Sequence, residues 1–324
     1  MTAQPRELWR RYLNLLGPLL GLCVVFAIFA IKVPESFLTA GNLETIARQT
    51  AIVGIAALGM TLVIISGGID LSVGSIVAFC SVVVAALIKA GATPLQAALG
   101  GVAAGALCGL VNGALITQLR VVPFIVTLGT MLIVRGAAKG IAHDQTINPA
   151  ADTWLNTLTS SLGPGQKWMI VPPGVWIMLA LALLVAGVLR YTRLGRHTYA
   201  IGSNEQTARL CGVRVNAVKI ALYTICAAFA GLAGLMQFSR LTLGDPTVAV
   251  GLELNVIAAV VSGGGSLSGG EGSVLGTLVG ALIMTVIEVG CSHMFLPNWV
   301  QEIVTGVIIV LAVALDRFRQ RRAV

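Results

Sequence analysis

Long apolar runs alternate along this chain with short polar connections that carry glycine, proline or arginine. About 20 mainly apolar residues cross a bilayer as a helix. On that measure the pattern predicts spans at roughly 13–33, 44–66, 71–89, 94–118, 121–141, 172–190, 219–240, 250–263, 273–293 and 298–316. The eighth run is short and flanked by glycine, the pattern of a re-entrant or broken helix. The predicted fold is therefore all-α: a polytopic membrane protein of about ten helices forming one domain over residues 1–324.

Two connections are long. Residues 142–171 are polar and contain Pro149, Trp154, Pro164 and Trp168, and residues 190–218 hold the densest charge in the chain. The second divides the spans into two halves of five. Each half contains a Gly- and Ser-rich break leading into a span, at 66–75 and at 262–273. Transporters are often built from internal repeats with broken helices at matching positions; chance likeness between glycine-rich turns explains so short a match as well.

Composition sharpens the class. Only 10% of residues are charged against 56% hydrophobic, with 38 glycines; a soluble domain carries about 25% charged residues. Small residues let membrane helices approach closely. The net charge of +8 does not point to nucleic acid, because the basic residues sit in short clusters between apolar runs. With the N-terminus inside, 14 of the 21 Lys and Arg residues fall on the inner face, among them Arg6, Arg10 and Arg11, the 190–218 connection, and Arg317, Arg319, Arg321 and Arg322. This is the positive-inside bias, and it places both termini and 190–218 in the cytoplasm. Arg135 and Lys139 run against it. The first apolar run is longer than the core of a signal peptide and no A-x-A-like site follows it, so it reads as an uncleaved span. The six cysteines lack metal-type spacing and mostly lie in apolar runs, where cysteine acts as a small hydrophobe. No metal, disulfide or cofactor is expected on this chain.

The break Gly67-Gly68-Ile69-Asp70-Leu71-Ser72 interrupts an apolar helix and places Asp70 near the membrane boundary, with Ser72 able to cap the next helix. An ionisable residue at that depth is costly and suggests function. Equally, this is a helix–turn–helix in which Asp70 only caps the third span. The stretch Gly67 to Ser75 resembles the ribose-type sugar permeases of bacterial ATP-binding-cassette importers. So do Gly202-Ser203-Asn204-Glu205-Gln206-Thr207-Ala208-Arg209-Leu210-Cys211-Gly212-Val213, and Glu253 to Val261 with the glycines after it, including Gly264. The likeness runs over nearly the whole chain in the same order.

That resemblance implies a permease subunit in the bacterial inner membrane that works with a separate ATP-binding subunit, a periplasmic or lipid-tethered sugar-binding protein and a second permease copy. It also implies that residues 203–212 form a short cytoplasmic helix docking into the ATP-binding subunit. The local chemistry suits such a helix: Ser203 and Gln206 have capping-box spacing, Gly212 stands at a left-handed stop, and Glu205 and Arg209 share a face. An ordinary solvated turn of helix fits the same residues.

Glu253, Asn255, Glu288, Asn112 and Gln237 lie in or beside apolar runs. They read as a polar lining for a sugar path or, for most of them, as interhelical hydrogen bonds worth about 1 kcal/mol each. Gly67, Gly68, Asp70, Ser72, Glu253, Asn255 and Gly264 are the translocation or gating candidates. Negative signs matter too. No G-x-x-x-x-G-K-[ST] occurs, and His143, His197 and His293 are scattered, so neither a nucleotide-binding loop nor a hydrolytic triad is expected. The alternative transport class is an ion-gradient-driven carrier, for which Glu253 and Glu288 are the available carboxylates.

Overall fold

The computed structural model describes residues 5–149 and 152–323. Side chains of the terminal basic clusters, Arg6, Arg10 and Arg11 and Arg317 to Arg322, lie outside the described set. The α-helices in chain order are α1 (Pro5–Lys32), α2 (Pro34–Phe37), α3 (Ala40–Ile65), α4 (Val73–Lys89), α5 (Pro94–Leu119), α6 (Pro123–Ala142), α7 (Pro173–Tyr191), α8 (Arg193–Ser203), α9 (Glu205–Leu210), α10 (Val215–Leu241), α11 (Leu252–Ser262), α12 (Val274–His293) and α13 (Asn298–Ala323). Among the described residues, six of them, α3, α5, α6, α7, α10 and α12, are long and apolar enough to cross a membrane. Shorter apolar stretches lie in α1, α4, α11 and α13. These ten helices fall on the ten predicted runs. α1 and α13 continue as helix beyond the predicted runs 13–33 and 298–316, because hydropathy marks the membrane, not the last backbone hydrogen bond.

Local chemistry sets the ends. Thr93 and Gln96 form a capping box with Pro94 opening α5, and α10 stops at Thr242 in the left-handed conformation. α11 has 11 residues, about 16 Å at 1.5 Å per residue, half of a bilayer core.

The two halves are related by packing as well as by sequence order. Helices α3 to α6 start at Ala40 and end their series with Pro123; α10 to α13 start at Val215 and reach Asn298, a shift of 175 positions at both ends. α5 packs on α10 as α12 packs on α3, and α4 packs on α10 as α11 packs on α3. Likewise α4 contacts α5 and α6 as α11 contacts α12 and α13. α1, which lies on α12, and α7, which lies on α3, stand outside the pattern. In this arrangement the counterpart of the 66–72 break is the connection 242–251, between α10 and α11. The pairing of 66–75 with 262–273 as matching positions is thus corrected. Those two segments look alike because each ends a helix by the same turn. Gly67 N–H bonds Ile64 O and Gly68 N–H bonds Val63 O, as Gly264 bonds Val261 O and Gly265 bonds Val260 O.

Glycine makes the central contact. Gly105, Gly109 and Gly113 recur every four residues on α5, and a Cβ on any of them would run into the α10 backbone at Ala227, Tyr223 and Ile220. Backbones this close are the small-residue packing of membrane helices. The core formed around it is deep: Ile55, Leu58, Met60, Ile76, Leu222 and Phe238 are fully buried.

Candidate functional site

The first break forms a buried polar knot. Asp70 Oδ1 accepts from Ser72 N at 2.9 Å and from Ser72 Oγ at 2.5 Å, while Asn112 Nδ2 on α5 donates to Ser72 Oγ at 3.0 Å. Tyr223 Oη from α10 donates to Ile69 O at 3.4 Å. Asp70, Ser72 and Asn112 are all fully buried, so Asp70 sits inside the bundle. Ser72 does not cap α4: its backbone is already helical and its side chain makes no cap bond. The reason is competition for the hydroxyl, which donates to Asp70 and accepts from Asn112, while Asp70 also takes the Ser72 N–H in a tight Asx turn. Asp70 Oδ2 and Asn112 Oδ1 are buried without a hydrogen-bond partner.

The second break, 242–251, uses the same device. Asp245 Oδ1 accepts from Thr247 N at 2.8 Å and from Thr247 Oγ1 at 2.6 Å. Arg135 of α6 donates from Nη1 to Pro246 O at 2.8 Å and Val248 O at 2.6 Å. Arg135, which runs against the expected charge bias, thereby satisfies carbonyls that an irregular backbone would leave unpaired. Gly244 pairs with Ile147 through two backbone bonds of 2.8 and 2.9 Å. The two breaks deliver α4 and α11 so that their first turns touch. A Cβ on Gly74 would overlap Glu253 Oε2 and stand 2.5 Å from Ala249 O.

The candidate glycines serve for two different reasons. Gly68 is short of space, with Tyr223 Oη 2.5 Å from where a Cβ would stand. Gly67 and Gly264 have room but hold φ of +79° and +92°, which side chains disfavour.

The 190–218 segment contains two helices where the sequence suggested one. Ser203 ends α8, and the cap of α9 is Asn204, whose Oδ1 accepts from Thr207 N at 2.8 Å. The Ser203–Gln206 capping box is therefore corrected. An extended residue, here Asn204 with φ of −159°, must precede a helix for its side chain to reach back, and Ser203 is still helical. Gly212 has the expected left-handed φ of +82°. Glu205 pairs with Arg209 at 3.2 Å and also with Lys219 at 2.6 Å, which ties α9 to the start of α10. Burial alone would push the Glu205 carboxyl up, but the bonds and charges of Lys219 and Arg209 outweigh it and hold it below the usual carboxylate range. Ala208 packs inward, whereas Gln206, Arg209 and Leu210 face out.

Behind α9 lies a junction that sequence reading missed. Gly202 of α8 rests on Ile65 O at the end of α3 and beside Gly270 N, and Gly270 N donates to Ile65 O at 2.8 Å. Gly269 has φ of +84°, with Gly202 O 2.8 Å and Gly67 Cα 3.0 Å from where its Cβ would be. Tyr199 Oη donates to Gly272 O at 3.1 Å. Both glycine-rich segments and α8 thus meet at one point. Only the clustering of glycines hinted at it.

At the other end of the bundle, Asn255 and Glu288 join Gln49, Gln237 and Arg240 around a cavity of about 160 Å³. Glu253 does not line it. Gln49 and Arg240 were legible only as isolated polar residues in apolar runs.

Residues 42–313 match the family model described as branched-chain amino acid transport system / permease component. The chain is 41% identical to the ribose import permease protein of Escherichia coli (strain K12) over 93% of each chain. It is 40% identical to that of Bacillus subtilis (strain 168) over 98% of this chain and 97% of the relative. The L-arabinose ABC transporter permease protein of Azospirillum brasilense is 37% identical, over 96% of this chain and 90% of its own length. No solved structure matches significantly. A multi-pass helical bundle with these likenesses does not fit the ion-driven alternative, and the chain belongs to the ABC-importer permease family that includes the ribose and arabinose permeases.

Proposed function

We propose that this chain is the membrane-spanning permease subunit of an ATP-binding-cassette importer for a ribose-like monosaccharide. The observation that carries the reading is likeness to ribose permeases along nearly the whole chain, joined to a short exposed helix, α9, locked to α10 through Glu205 and Lys219. The apolar helices lie in the bacterial inner membrane as one permease domain, with α11 and the 242–251 connection before it together making one crossing. Both termini and residues 190–218 lie in the cytoplasm. ATP is hydrolysed on a separate subunit, which grips α9 through Asn204, Glu205, Gln206, Arg209 and Leu210. A periplasmic or lipid-tethered binding protein delivers the sugar, and two permease copies enclose the path. The breaks holding Gly67, Gly68, Asp70, Ser72 and Gly264, with Glu253 in the first turn of α11, are the parts that shift when the path opens.

The test is uptake in proteoliposomes holding the permease, its ATPase and its binding protein, with labelled D-ribose, L-arabinose and D-allose. ATP-dependent uptake of one of them is expected; uptake driven by an ion gradient without ATP would overturn the reading. Ala208→Pro removes the 3.0 Å bond from Ala208 N to Asn204 O, and interior proline costs a helix about 3 kcal/mol. The variant inserts in the membrane but loses sugar-stimulated ATP hydrolysis. Wild-type stimulation would make residues 203–212 an ordinary surface turn.

A further inference from the structure

Most of the exposed side chains on the long helices are what lipid requires. Leu99 and Leu107 on α5, Leu132 and Ile133 on α6, and Leu183 on α7 are all strongly exposed and apolar. One face is an exception. Gln49 of α3, Gln237 and Arg240 of α10, Asn255 of α11 and Glu288 of α12 converge on the 160 Å³ cavity, and Arg240 and Glu288 are exposed in the isolated protomer. Three of these positions lie inside their spans. Counting 1.5 Å per residue from Ala40, Leu241 and His293, Gln49, Gln237 and Glu288 stand about 13, 6 and 8 Å below the outer helix ends. Of these three only Glu288 is charged, and an ionisable side chain within a span faces a bundle interior or a water-filled cavity, not lipid; Glu288 and Arg240 are both exposed rather than enclosed by the bundle. This face therefore opens to water.

The lining has a definite chemistry. Arg240 and Glu288 attract each other, yet among the described residues only the Glu205 pairs close to within 4.0 Å. One positive and one negative group thus face the same space without sealing it. Three amides, Gln49, Gln237 and Asn255, add both donors and acceptors. A neutral molecule in which every hydroxyl both donates and accepts satisfies such a set, whereas an ion meets a repelling charge. The volume is well below the roughly 300 Å³ where drug-sized sites begin and suits one small polyol.

We infer that this cavity is a transient monosaccharide site in the outer third of the protomer, held by Gln49, Gln237, Asn255 and the Arg240–Glu288 pair. The inference rests on the transport reading and adds to it a place where the permease itself touches sugar. The open bonding geometry implies weak, fast binding, as passage onward demands.

Two measurements on the full complex test it. In a background lacking the six native cysteines, Asn255→Cys should react with a charged, membrane-impermeant thiol reagent added from outside, while Leu183→Cys stays unmodified. Separately, Gln237→Leu and Glu288→Gln should lower uptake of the best substrate among D-ribose, L-arabinose and D-allose at least tenfold per assembled complex. An Asn255→Cys that resists the reagent, or wild-type uptake by both polar variants, would overturn the site. If either polar variant fails to assemble, the thiol reaction decides. Absence of ATP-dependent uptake in the wild type would instead sink the transport reading, and the thiol reaction would still report whether the cavity holds water.

Discussion

Gly202→Ala tests how motion at α9 reaches the membrane. The added Cβ would overlap Ile65 O and stand 2.5 Å from Gly270 N. Both neighbours are backbone, so neither can swing aside as a side chain would. The junction must part, and the 2.8 Å bond from Gly270 N to Ile65 O lengthens or breaks. Overpacking of this kind costs roughly 1–3 kcal/mol, and a lost hydrogen bond adds about 0.5–1.5 kcal/mol. About 2–4 kcal/mol is thereby set against the contact joining α8 to the end of α3. The spans themselves are held by α5–α10 and α3–α12 packing elsewhere, so the variant should insert and still bind the ATPase. The assay is the number of sugars imported per ATP hydrolysed in proteoliposomes, with Gly187→Ala as control, since its Cβ meets nothing within 4 Å. A fall of at least fivefold in that ratio is expected for Gly202→Ala and none for Gly187→Ala. A wild-type ratio for Gly202→Ala would refute the idea that force passes through this junction, and would return it to α10 alone.

Other outcomes follow from the same geometry. Asn204→Ala should cost about 1 kcal/mol of α9 stability by removing its cap, whereas Ser203→Ala should be near neutral; helix content of the loop, read by hydrogen exchange at 205–211, separates them. Glu205 titrates lower when folded than its ordinary 4.5. Its ion pairs therefore stabilise above about pH 4.5 and are lost as pH falls through the lower folded value. The carboxylate is 42% exposed, so the effect is small, under about 1 kcal/mol, and the melting-temperature gap between wild type and Glu205→Gln should close on acidification from pH 7. Arg135→Ala abandons two carbonyls of the 242–251 connection; charged hydrogen bonds are worth about 1.5–3 kcal/mol, so a drop of several degrees in melting temperature in detergent is expected, and Arg135→Lys should recover only part of it.

The span pattern was legible because a bilayer demands a long apolar run from every helix that crosses it, and that demand acts on residues close together in sequence. The short eighth helix and the stop at Gly212 were legible for a similar reason: each is a local backbone matter announced by glycine. The cap of α9 was misplaced by one residue. Ser203 and Asn204 are both good caps, and where α8 ends is decided by its packing on Ile65 and Gly270, not by its own residues. Ser72 failed as a cap because Asn112, 40 positions away, shares its hydroxyl. Arg135 looked like an exception to the charge rule until the carbonyls of Pro246 and Val248, more than a hundred positions on, were brought to it.

Membrane class, the positions of the apolar helices and family were thus determined by sequence alone, since hydropathy and short motifs are properties of neighbours in the chain. Which break answers which, the glycine junction under α8 and the polar cavity were decided only by tertiary structure. Each depends on residues from three or four helices meeting, and the same Gln, Arg or Glu in an apolar run can end against lipid, protein or water according to how those helices pack.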